Sequence, residues 1–212
     1  VHDEFRGKVG SWQKAIDALE HVALAGMAPY LNITVGHYNA FSEDVKKMLK
    51  YSKDKGYTTL INVATPGGMW KSMTEIMVDE KDTSHLIDLR QEYGNVLRNL
   101  WNPFDRNNKE VLGCNTVNRL YITPIGDVLP CPYVHIKLGN IFENSLKEIS
   151  EKGFKYKPFH DHSDLCLAGE DKEFVQKYLT NDEMGIFNPI PVENIFSNKD
   201  MVNSIPTDTA LF

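Results

Sequence analysis

The sequence predicts an α/β chain: a parallel sheet built from βαβ units, followed by a smaller α+β unit of different character. Three observations carry this. Helical and strand periods alternate over about the first hundred residues, glycines follow the helices, and beyond residue 113 the pattern becomes a hairpin. Ser11 is the expected N-cap of a helix to about Ala25, with Trp12, Ala15, Ile16, Leu19 and Ala23 on one face and Gly26 after it. Pro29 opens a strand over 30–35. Ser42 caps a second helix, with Glu43 and Asp44 at the positive end of its dipole and Val45, Met48 and Leu49 inward, closed by Gly56. The apolar, β-branched run 58–64 is the next strand. A third helix is expected over about 82–93 and a third strand over 96–101, and Pro66, Gly67 and Gly68 fall at a strand's carboxyl end, where such sheets bind ligands.

The polar stretch from Asn102 to Gly113 reads as a connector. It leads to a hairpin over 120–129, a short helix capped by Ser145, a loop rich in His and Asp, and a helix over about 169–179. The segment after 182, with Pro189, Pro191 and Pro206, reads as an extended surface tail. Expected domains are therefore 1–104, 105–182 and a tail over 183–212.

Composition narrows the classes. The 212 residues carry a net charge of −6, which argues against non-specific nucleic-acid binding and a polybasic membrane patch. No apolar run approaches the roughly 20 residues of a membrane span. No signal peptide is visible, the cysteines are few, and a reducing cytoplasm is the expected compartment.

Those cysteines are the most specific feature. Cys114 and Cys131 are separated by sixteen residues, with Gly126 five before the second, and Cys166 is the third and last. Three cannot all pair as disulfides. The spacing fits a hairpin with a thiolate near the base of each leg, its turn built on Pro124 and Gly126, and Pro130 and Pro132 stiffening Cys131. This is a soft-metal pattern, first of all for iron–sulfur. The plainer alternative is three small buried hydrophobes.

The run from Gly113 through Arg119 and Gly126-Asp127 to Cys131, then 138–141 and 145–149, resembles the auxiliary-cluster extension of radical SAM enzymes, the SPASM domain or its shortened relative, the twitch domain. Residues 2–7 before a capped helix, a strand leading to Asn39, and a strand ending in Pro66-Gly67-Gly68 resemble the later half of a radical SAM partial barrel. The resemblance implies the C-terminal part of a partial (β/α) TIM-like barrel and a small α+β twitch/SPASM-like domain. It implies an auxiliary 4Fe-4S cluster on Cys114, Cys131 and Cys166. In the intact enzyme it implies S-adenosylmethionine and a second 4Fe-4S cluster for hydrogen abstraction. The cofactor contacts would come from Asn39, Asn62, Gly67 and Gly68. Implied partners are a peptide or small-molecule substrate and an electron donor such as flavodoxin or ferredoxin, with no nucleic acid and no membrane.

Two departures from the family stand out. The Cys-x-x-x-Cys-x-x-Cys that holds the radical-generating cluster is absent, so the chain reads as a fragment, inactive alone. A four-iron cluster held wholly by thiolates takes about four cysteines, and a further Cys would often follow Cys166 where Gly169 stands. One iron is then open to substrate, or His135, His160, His162 or Asp164 completes the set. The rival class is a non-catalytic iron–sulfur or Cys₃His zinc module.

Overall fold

A computed structural model describes residues 2–107 and 109–206. The chain divides into two compact units, residues 1–62 with 80–110, and residues 63–79 with 111–212.

The first unit carries the alternation. Its helices are α1 (His2–Phe5), α2 (Ser11–Leu24), α3 (Glu43–Asp54) and α4 (Glu80–Tyr93). The strands β1 (Tyr30–Val35), β2 (Thr58–Val63) and β3 (Val96–Leu97) form an open sheet in that order, and β2 and β3 run parallel with Thr59 opposite Val96. Among the described residues the sheets are small and none closes into a barrel. Val35, Leu49, Ile61, Leu86 and Leu89 are essentially inaccessible and form the core. The expected third strand is shorter than its sequence, because the chain turns at Arg98, where Trp101 N–H bonds the Arg98 carbonyl at 3.0 Å.

Ser11 is not the cap of α2. Left-handed Gly10 holds that position, and Ser11 begins the helix. The cap comes from Asp3, whose carboxylate accepts from Gly10 N at 2.6 Å, Trp12 N at 2.7 Å and Ser11 Oγ at 2.8 Å. Those donors, led by Trp12 N–H, hold the Asp3 carboxyl well below its usual range. Ser42 caps α3 as expected, through Val45 N at 3.3 Å.

The second unit is built on β4 (Tyr121–Ile122), β5 (Asp127–Leu129) and β7 (Gly139–Asn140), an antiparallel sheet in the order β4-β5-β7. Gly126 has φ +84°, and its N–H closes the turn on the Thr123 carbonyl at 2.9 Å, so the expected hairpin forms with Gly126 in the conformation that favours glycine. Helices α5 (Leu146–Gly153), α6 (Lys157–His160) and α7 (Lys172–Tyr178) bury Ile149, Phe159 and Phe174 in one core with Val128 of β5, and a capping box between Ser145 and Glu148 starts α5.

The segment after 182 differs from the expected surface tail. There β8 (Ile190–Pro191) pairs in parallel with β6 (Ile136–Lys137), while Val192 and Phe196 are buried in the unit's core. The prolines suggested a tail, but the apolar residues between them are core. Residues 207–212 of that expected tail lie outside the described residues.

Asp127 ties the hairpin to the next strands. Nearly buried, it meets Lys137 Nζ at 2.5 Å and Asn140 Nδ2 at 2.9 Å. Burial pushes its carboxyl up, but Lys137 and Asn140 outweigh this and hold it below the ordinary value. Its stabilising effect is therefore full above the unfolded-state pKa of about 3.9 and is lost as pH falls through the lower folded value. Asp127→Ala should cost about 2 kcal/mol at pH 7. Urea unfolding of parent and variant should show the gap closing below about pH 4.

Candidate metal centre

Gly113 and Cys114 start the site. Gly113 sits at φ +77°, where a Cβ would stand 2.6 Å from the Ser163 carbonyl oxygen and 2.5 Å from His162 Cε1. Only glycine allows that approach, and the next residue uses it: Cys114 N–H donates to Ser163 O at 2.7 Å. This bond pins the base of one hairpin leg to the loop that ends in Cys166. Val117 N–H donates to Pro130 O at 2.9 Å, which registers the first leg against the residue before Cys131. One local device thus serves each pairing.

All three cysteines are free thiols and half-buried. Cys114 Sγ lies 2.7 Å from Thr116 Oγ1. Burial pushes the Cys131 thiol up to about 11, with Cys114 adding to the rise and the Tyr133 and Val134 N–H groups opposing it. Burial pushes Cys166 up to about 12, with Cys114, Glu170 and Cys131 all adding and Ala168 N–H opposing. Cys131 thus senses Cys114, and Cys166 senses both, so thiolate charges at these positions repel. Three thiolates are stable here only beside a concentrated positive charge, which iron supplies. Main-chain N–H groups already face two of the sulfurs, as in sites that tune a cluster's potential. The donor set fits an iron–sulfur cluster on these grounds.

The position of a missing fourth cysteine is closed. Gly169 is buried, and a Cβ there would stand 2.5 Å from Val63 Cγ2 and 3.4 Å from Thr65 Cγ2. Gly169→Cys should therefore lower the melting temperature and add no iron on reconstitution. Among the expected alternatives, His162 Nε2 bonds Asp164 Oδ1 at 2.9 Å, and this ring packs on Gly113, next to Cys114. His160 Nδ1 bonds Asp161, and its Nε2 lies 3.3 Å from Ser204 Oγ. His135 Nε2 lies 3.2 Å from the Pro132 carbonyl, and burial holds this imidazole below its ordinary range.

The remaining expected residues separate by unit. Asn39 braces the turn after β1, accepting from Gly36 N at 2.8 Å and donating to Thr34 O at 3.2 Å. Asn62 donates to Asn32 Oδ1 at 2.7 Å. Gly67 is extended, Gly68 has φ +59°, and both line a cavity of about 450 Å³ within the second unit. Its lining also includes Tyr133 and His135, which follow Cys131 by two and four residues. Sequence reasoning missed Lys71 and the 184–188 segment of this lining. Their only signals were a lone lysine after a glycine pair and an apolar pair, Ile186-Phe187, in a stretch read as tail.

Residues 114–170 match the family model of the SPASM domain, described as an iron–sulfur cluster-binding domain. The matched segment begins at Cys114 and contains all three cysteines. No curated protein and no solved structure matches the chain. Among the described residues, no helix is long and apolar enough to cross a membrane.

Proposed function

We propose that this chain is part of a radical SAM enzyme and that Cys114, Cys131 and Cys166 hold its auxiliary 4Fe-4S cluster. The observation that carries this reading is the gathering of three half-buried thiols, with Cys114 close enough to raise both Cys131 and Cys166, on the segment that matches the SPASM domain. When bound, the cluster supplies one-electron chemistry, or an iron open to a substrate donor atom. The chain's own residues set its surroundings: the Tyr133, Val134 and Ala168 N–H groups face the sulfurs, and partial burial limits water. Gly67 and Gly68 offer main chain at a cavity wall, which supports them more than Asn39 or Asn62 as cofactor contacts. In the intact enzyme, S-adenosylmethionine and a second cluster would abstract hydrogen from a peptide or small-molecule substrate, with a flavodoxin or ferredoxin as electron donor. The first unit would belong to that enzyme's partial barrel.

The zinc reading is less well supported. One tetrahedral zinc holds its thiolates about 3.8 Å apart, from Zn–S bonds of about 2.3 Å. Among the described residues, the three sulfurs are not a group lying within 4.8 Å of one another. A cluster, with a sulfur on each of several irons, tolerates wider spacing. Anaerobic reconstitution with iron and sulfide tests the proposal. The reduced protein should give the electron paramagnetic resonance of a single 4Fe-4S centre. A silent, colourless protein that retains zinc would overturn it.

A further inference from the structure

The cavity beside the metal loops has a composition unlike the rest of the chain. The protein carries 29 acidic and 23 basic residues, yet among the described residues no carboxylate lines this cavity, and Lys71 is the one lysine or arginine that does. Lys71 Nζ donates to the carbonyls of Asp182 and Met184, the latter at 3.1 Å, which fixes the ammonium in place. An ammonium has three donors, and these carbonyls take two. The rest of the lining is largely apolar, with Leu179, Met184, Ile186, Phe187 and Tyr133. A volume near 450 Å³ is in the range of small-molecule sites. Such a site favours a ligand with one negative group and an apolar body.

We propose that this cavity binds a small carboxylate with an aromatic or aliphatic body, its carboxylate on Lys71 and its body against Leu179, Met184 and Phe187. The proposal rests on the cluster reading for one point only, that the ligand then lies against the loop holding Cys131. A free acid and a peptide's C-terminal residue share this chemistry.

Trp70, half-buried on the adjoining wall of this glycine-lined hollow, supplies a fluorescence readout. The full chain is titrated with N-acetyl-phenylalanine, with its amide, and with Gly-Gly-Phe bearing a free or amidated C-terminus. At least one acid should bind about tenfold more tightly than its matching amide, the scale of one charge-assisted bond. If both acids show the preference, the site takes peptide termini. If N-acetyl-phenylalanine alone does, it takes free acids. Lys71→Met should abolish the preference, with circular dichroism checking the fold. The acid–amide comparison on the unaltered chain stands even if that variant unfolds. Equal binding of acids and amides, or a preference that survives Lys71→Met, overturns the proposal. Iron is assayed in the same samples: acid preference without iron defeats the cluster reading alone, and iron without acid preference defeats this one alone.

Discussion

Cys131→Ala protein should emerge from anaerobic reconstitution with almost none of the parent's iron, while its far-UV circular dichroism is unchanged. Loss of groups that merely support metal ligands costs about 10–100-fold in affinity, so loss of a ligand itself costs more. Cys131 lies against core residues, and the sulfur-to-hydrogen change removes little volume, so the fold should survive. Moreover, burial keeps the Cys131 thiol protonated without metal, so the free protein gains nothing from a thiolate there. Iron content is the decisive number. Unchanged iron in the variant would mean that the metal sits elsewhere or is held non-specifically.

Gly113→Ala is the second large effect, and it arises without touching a sulfur. A Cβ at φ +77° costs about 1–2 kcal/mol from the left-handed conformation. Its approach to the Ser163 carbonyl oxygen adds an overpacking cost of about 1–3 kcal/mol, because main chain must move. The movement lengthens the Cys114–Ser163 bond, which ties the Cys114 leg to the loop carrying Cys166. A fall of roughly 5–15 °C in melting temperature should therefore accompany a fall in bound iron. Gly26→Ala is the control: that glycine also has positive φ, but nothing lies within 4 Å of its Cβ position. It should lose stability and keep its iron. Equal iron loss in both variants would break the link between this close approach and the metal.

Much of this was readable in the sequence where one residue's chemistry dictates its own surroundings. Ser42 and Ser145 cap helices because their side chains reach donors within the same turn. Gly126 marks the hairpin because its positive φ excludes most other residues. The cysteine spacing gave the family resemblance directly. Long-range partners were not readable. Nothing local says that Asp3, eight residues before Ser11, takes over the cap, or that Val192 and Phe196 in a proline-rich stretch close a core. Likewise, the absence of a cysteine at 169 is visible in the sequence, but the crowding of that position by Val63 and Thr65 comes from side chains a hundred residues away. The fourth ligand position stays open for the same reason: four candidates near in sequence each already have a local partner or neighbour.

Native mass spectrometry of the anaerobically reconstituted chain decides whether the three cysteines hold a cluster, because it counts metal and sulfide together in one folded species. One dominant mass carrying about four irons and four sulfides is expected, lost in Cys131→Ala. A dominant mass carrying a single zinc, or no metal at all under the same conditions, would contradict it.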